Sequence, residues 1–278
     1  MRMSNETAII TGSTSGIGKK IAELFLSEGC KVAICSRNED NVKKTLLEFK
    51  ERFGDSVIGE VCDVTNPSAL TELIEKTINA FGSIRILVAN AGLNLSYGPF
   101  HFLSLEKVAS DAEIVIGTNL IGAINSIAAV IPQMKKQFYG RIVTLSGGGA
   151  DRPIEHMTIY SASKGGVTAF SRCLAQEFKK EEENIKINIF QPGMIKTNLS
   201  KVTNVIKEWK DEEQYKKEFD LIIKYVASDI GESCSKVIPF ALPTCKANGK
   251  SFRGFSIKKL ISGFRKIKKM QKKLEKEQ

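Results

Sequence analysis

Histidine is nearly missing from this chain: His101 and His156 stand alone among 278 residues. Two imidazoles far apart in sequence make no ligand set with Cys30, Cys35, Cys62, Cys173, Cys234 and Cys245, which show no C-x-x-C spacing, so neither a metal site nor a disulfide framework is indicated. The cysteines read instead as small buried hydrophobes of a reducing compartment. No apolar stretch approaches the length of a membrane span, and no apolar signal region precedes the first strand pattern. A soluble, cytoplasmic protein is predicted. Disorder across the body is excluded by a hydrophobic content of 42% against 26% charged residues.

Net charge is also absent from most of the chain. The formal total is +10, yet residues 246–278 alone carry twelve Lys or Arg against Glu275 and Glu277, so the body is close to neutral. The basic balance therefore belongs to a tail. Ile257, Leu260, Phe264, Ile267 and Leu274 recur there at helical spacing amid lysines, an apolar stripe with a cationic remainder. Three roles fit residues 257–278: docking on its own or a sister subunit, lying on a membrane surface, or attraction to nucleic acid or an acidic carrier protein. No specific nucleic-acid site is predicted.

What is present is an alternation. Strand-length apolar runs recur at 7–11, 31–36, 57–62, 85–90, 140–146 and 185–190, and helix-like segments at 17–28, 39–53, 67–81, 105–137 and 158–181. Such alternation predicts an α/β fold, a doubly wound parallel sheet with helices on both faces. Asn66 and Pro67 supply a cap and a first helical residue, the fourth helical segment breaks near Asn119, and a seventh strand fits 250–255. Residues 1–256 form one catalytic domain on this reading.

Two segments carry chemistry. Thr11-Gly12-Ser13-Thr14-Ser15-Gly16-Ile17-Gly18 follows the first apolar run and reads as strand, glycine turn and helix start, where bare N–H groups and the positive helix end hold a pyrophosphate. Tyr160 and Lys164 stand one helical turn apart on one face. A neighbouring ammonium favours the phenolate, so Tyr160 is expected to have a lowered pKa and to exchange a proton as hydride moves. The second strand ends in Cys35-Ser36-Arg37 with no carboxylate for a ribose 2′-hydroxyl. Ser36 removes repulsion and Arg37 offers a fork for a 2′-phosphate, so NADP(H) is favoured over NAD(H), with Glu39 and Asp40 as competing partners of Arg37.

With these matches the chain resembles the short-chain dehydrogenase/reductase family in its single-domain form. Thr11, Gly12, Gly16 and Gly18 fit its T-G-x-x-x-G-x-G pattern, and Asp63, Asn90-Ala91-Gly92, Asn119, Tyr160 with Lys164, and Pro192-Gly193 with Thr197 follow in the family's order. The resemblance implies a Rossmann-like sheet and hydride transfer between a nicotinamide and a small carbonyl or secondary alcohol. Gly12, Ser13, Ser15, Gly16, Ile17 and Gly18 would cradle the phosphates, with Ser36 and Arg37 at the ribose. Asp63 and Val64 would hold the adenine, Asn90, Ala91 and Gly92 would lie beside the ribose, and Pro192, Gly193, Ile195 and Thr197 near the carboxamide. Lys164 would also hold ribose hydroxyls, and Asn119 a water of the proton relay. A homodimer or homotetramer through the two long helices is implied as well. The nearest variant is a 3-oxoacyl-carrier-protein reductase; the contrary class is an NADP-binding scaffold or redox sensor without turnover.

One position departs. The family places a serine thirteen residues before the tyrosine, where this chain has Gly147, and Ser146 stands one residue early. One step along a strand turns a side chain to the opposite face, so either the glycines 147–149 re-aim Ser146 as a catalytic residue or their N–H groups polarise the carbonyl. Substrate contacts are expected from 93–97, from 150–156 with Arg152 as a candidate, and from 193–227, which contains Trp209 and Tyr215. That last stretch reads as a substrate lid or as a helical hairpin decorating the sheet. His156 reads as an ordinary surface or core histidine.

Overall fold

The strand residues sort themselves by parity. In β1 (Thr7–Thr11), Ala8 and Ile10 enter one apolar core and Ile9 the other; in β2 (Lys31–Ser36), Val32 and Ile34 divide in the same way from Ala33 and Cys35. Alternate side chains leave a strand on opposite faces, so a strand apolar at every position must be covered twice. With β3 (Val57–Val61), β4 (Ile86–Ala89), β5 (Tyr139–Leu145), β6 (Asn184–Gln191) and β7 (Ser251–Arg253) they form one sheet in the order β3-β2-β1-β4-β5-β6-β7. Every pairing is parallel. The computed structural model describes all residues except 148–149, 151–153, 181–183, 198–203 and 278, and residues 271–277 by backbone alone. Gly148, Gly149 and Arg152 thus lie outside the described residues, as does the side chain of Leu274.

Helices cover both faces. Phe25 of α1 (Gly16–Ser27) and Phe49 of α2 (Glu39–Phe53) fill the first core together with α8 (Ile230–Ser235) and α9 (Ile238–Ala241). Leu70 and Leu73 of α3 (Pro67–Phe81), Ile127 and Val130 of α5 (Gly122–Lys136) and Val167 of α6 (Thr158–Phe178) fill the second. The predicted start of α3 is met: Asn66 Oδ1 accepts from Ser68 N at 2.9 Å ahead of Pro67. The predicted break near Asn119 is not. α4 (Leu105–Ile116) runs into α5 through one π turn, Gly117–Ile121, so the helix widens without stopping. Joined in this way, Leu105–Lys136 is long and apolar enough to cross a membrane by length and composition, contrary to the reading of the sequence. Its apolar side, with Ile127, Val130 and Met134, is spent on the second core.

The strand order reverses between β1 and β4, and the carboxyl ends of these strands open a crevice there, the place where open α/β sheets bind ligands. Thr11 ties that point together, its Oγ1 accepting from Asn90 N and Ala91 N, both at 3.0 Å. After β6 the chain forms α7 (Glu212–Val226), capped by Asp211, and it ends in α10 (Ile257–Glu277), which packs on α7. The tail stripe is divided by this contact: Ile267 is buried and Leu260 half-buried, whereas Ile257 and Phe264 stay exposed.

Candidate active site

The glycine loop leaves β1 in a shape that side chains would spoil. Gly12 has φ +64°, and a Cβ there would meet Ala91 Cα at 2.9 Å; a Cβ on Gly18 would overlap Asn90 Nδ2 and Gly12 O. Asn90 clasps the loop from across the switch point, its Nδ2 donating to Thr11 O at 2.8 Å and Gly12 O at 3.1 Å. The result is a bare backbone cradle at the start of α1, open to a cleft of about 290 Å³. Its chemistry suits a pyrophosphate.

The cleft gathers Gly12, Ser15, Gly16, Ile17, Gly18, Ser36, Arg37, Val64, Asn90, Ala91, Gly92, Ser146, Tyr160, Lys164, Pro192 and Thr197, all named from the sequence. Others named with them stand outside its wall. Ser13 is buried, donating to Ile10 O at 2.6 Å and accepting from Cys35 N at 3.0 Å, so it ties β1 to β2. Asp63 accepts from Thr65 N at 2.8 Å and faces the Arg37 guanidinium at 3.9 Å, while Glu39, expected as a partner of Arg37, pairs with Lys43. Gly193 packs under Phe255, and Ile195 is buried. Leu93, from the expected substrate segment 93–97, also lines the cleft, as do Thr14, Cys62, Thr118 and Leu145, which were not named as site residues. Thr14 sits inside the glycine loop and Cys62 directly before Asp63, so adjacency was the available signal.

Tyr160 and Lys164 come together in the cleft as their spacing predicts. Lys164 Nζ donates to Leu145 O at 3.1 Å and lies 5.8 Å from the centre of the Tyr160 ring. Both are buried. Burial pushes the Tyr160 phenol up to about 12, with Tyr97 adding to the rise, and pushes the Lys164 ammonium down to about 8. The expected lowering of the phenol pKa is therefore reversed here, because desolvation of the phenol dominates while the ammonium is directed at a carbonyl. Asn119 supports the same corner: its Oδ1 accepts from Leu93 N at 2.8 Å and its Nδ2 donates to Leu93 O and to Ser163 Oγ. Its amide is fully engaged.

Gly147 faces the tyrosine. A Cβ on Gly147 would lie 2.6 Å from Tyr160 Oη, so the glycine gives the phenol its seat. Ser146 points elsewhere, its Oγ sharing a hydrogen bond with Thr168 Oγ1 at 2.9 Å in the protein interior. An aromatic cluster is gathered nearby from distant segments, with Tyr97 close enough to Tyr160 to act on its ionisation. His156 lies tilted against Trp209 at 4.3 Å, Trp209 meets Tyr215 at 5.4 Å, and Tyr97 joins Tyr215 at 6.2 Å.

Residues 6–207 match the short chain dehydrogenase profile. The chain belongs to the short-chain dehydrogenase/reductase family. It is 30% identical over 240 residues to dehydrogenase/reductase SDR family member 4 of Sus scrofa, covering 86% of this chain and 81% of that protein. It is 34% identical over 207 residues to the 3-oxoacyl-acyl-carrier-protein reductase FabG of Buchnera aphidicola, covering 74% and 80%. Among solved structures, an actinorhodin polyketide ketoreductase variant crystallised with NADPH superposes with a TM-score of 0.76 at 28% identity, over 91% of this chain and 97% of that one. This short-chain dehydrogenase/reductase is thus an oxidoreductase of CH–OH or carbonyl groups, from a family that binds NAD(P)(H).

In this family member the hydroxyl of Ser146 is engaged by Thr168 in the protein interior. Ser146→Ala is expected to leave turnover within about twofold and to lower stability by about 1 kcal/mol, the usual worth of one hydrogen bond, since Thr168 keeps its bond to Lys164 O. Steady-state rates and urea melts measure both. A hundredfold loss of turnover would mean that Ser146 turns inward during catalysis.

Proposed function

We propose that this protein is an NADP(H)-dependent carbonyl reductase or secondary-alcohol dehydrogenase. One observation carries the reading: the Tyr160 phenol and the Lys164 ammonium share a single cleft with a bare glycine cradle. The cofactor, when bound, supplies or accepts the hydride. The residues do the rest. Gly12, Ser15, Gly16, Ile17 and Gly18 hold the phosphates, Val64 and Asp63 the adenine, and Pro192, Ile195 and Thr197 the carboxamide end. Tyr160, protonated at neutral pH as any phenol is and held so more firmly by burial, gives its proton to the substrate oxygen in the reductive direction. Lys164 presents positive charge where that oxygen becomes negative, and the Asn119 amide fixes the loop at Leu93 beside them. The aromatic cluster of Tyr97, His156, Trp209 and Tyr215 favours a neutral, partly apolar substrate and supports the lid reading of 193–227. Exposed Ile114 and Ile121 support pairing of copies into a dimer or tetramer through the long helices, and six free cysteines support a cytoplasmic setting.

The test is NADPH consumption over ketones, aldehydes, sugars and 3-oxoacyl thioesters. Turnover of the thioesters alone would select the carrier-protein variant, which the FabG likeness supports. Tight NADPH binding with flat traces throughout would select the scaffold or sensor. The preference for NADP(H) rests on Arg37, half exposed at the cleft and only weakly engaged by Asp63. Arg37→Ala is expected to weaken NADPH binding by about 10- to 100-fold and leave NADH unaffected, the loss of one charge-assisted contact. Equal affinity of the native protein for both nucleotides would end this assignment.

A further inference from the structure

α10 is seated by one face and leaves a second apolar face bare. Gly263 and Ile267 are buried against α7, where any side chain at 263 would collide with Tyr225 O. At about 100° per residue, Phe264, Ile257 and Ile261 fall on the neighbouring strip, and each keeps 47–48% of its surface exposed. Lys268 falls within the strip, and the arc beyond it belongs to exposed Lys258, Lys259, Arg265, Lys266 and Lys269.

We propose that this strip binds the surface of an anionic lipid bilayer, with Ile257, Ile261 and Phe264 entering the interfacial layer and the flanking cations meeting lipid phosphates. Charge complementarity decides the occupant. The excess positive charge of the whole chain lies in residues 246–278, so a second copy on the same strip would set two cationic arcs against each other. A nucleic acid supplies negative charge but gives three adjacent apolar side chains nothing to enter, and an acidic protein would need an apolar groove shaped to a helix already seated on α7. A bilayer rich in acidic lipid supplies both in one plane. The seat on α7 fixes the strip outward, so the body is held at the surface without giving up any core residue.

The experiment is cosedimentation of the full-length protein with phosphatidylcholine vesicles, with and without about a third phosphatidylserine. Affinity for the acidic vesicles is expected to exceed that for the neutral ones by roughly tenfold or more. The paired variants Ile261→Asn/Phe264→Asn and Lys258→Glu/Lys266→Glu are each expected to fall to the neutral-vesicle level, with thermal midpoint and NADPH affinity unchanged. Equal affinity for both vesicles, no binding, or full binding by Ile261→Asn/Phe264→Asn overturns the proposal. So does a dimer, seen by sedimentation velocity, that this apolar variant alone dissolves, or capture on duplex DNA that it leaves intact.

Discussion

Tyr160→Phe is expected to lower the rate of carbonyl reduction by about 10²- to 10⁴-fold, the range that a positioned general acid contributes. The ring stays in its seat, because the contact with Gly147 involves the edge that carries the hydroxyl and the remaining packing is untouched. Nothing in the glycine cradle or around Arg37 is altered, so NADPH affinity should remain within about twofold by fluorescence titration. The split between rate and binding is the diagnostic result. A variant that keeps more than a tenth of native turnover would move the proton donor to water or to another residue, and the proposed chemistry would fail with it.

Lys164→Met is expected to lose most of the turnover and yet to stabilise the fold. The ammonium is almost fully buried and its pKa falls from the ordinary 10.5 to about 8, so charging it in the native protein costs on the order of 3 kcal/mol. Losing its charge-assisted hydrogen bond to Leu145 O offsets about 1.5–2 kcal/mol, which leaves a net gain of about 1 kcal/mol at pH 7. The sign follows from proton counts. Below pH 8 the group is charged in both folded and unfolded chains and the full cost is present; between pH 8 and 10.5 the unfolded chain still holds the proton that the native one has released, so native stability rises with pH. The advantage of the methionine variant should therefore shrink across that window. Denaturant midpoints at pH 7 and pH 10 measure it, and a destabilised variant at pH 7 would show that Lys164 is held by interactions stronger than its burial cost. A stabilised but slow enzyme would mark the lysine as kept for chemistry.

Much of this was legible from residue order. The period-2 split of Ala8, Ile9 and Ile10 between two cores is the physical content of an apolar run flanked by helices, and Asn66-Pro67 started α3 as read. The step from Gly147 back to Ser146 already implied a side chain on the far face, and Thr168 is what it meets there. Other features depended on distances that order does not contain. Near Asn119 the chain widens by one residue per turn, and a widened helix and a broken one leave the same apolar pattern. Arg37 approaches Asp63 from another strand end, while nearby Glu39 is taken by Lys43 one turn along its own helix. The pKa of Tyr160 turned on burial, which spacing to Lys164 cannot report. His156 looked ordinary until Trp209 came to lie against it.

In the central strands β1, β4 and β5 every residue is buried. A scaffold of that kind admits almost no drift in its own sequence, because each position answers to a core on its side. Novelty in such a lineage has to be written in the connecting segments at the strands' carboxyl ends, where Tyr97, His156 and Trp209 sit. Selection for a new substrate can then rework that rim freely, and folding is inherited unchanged.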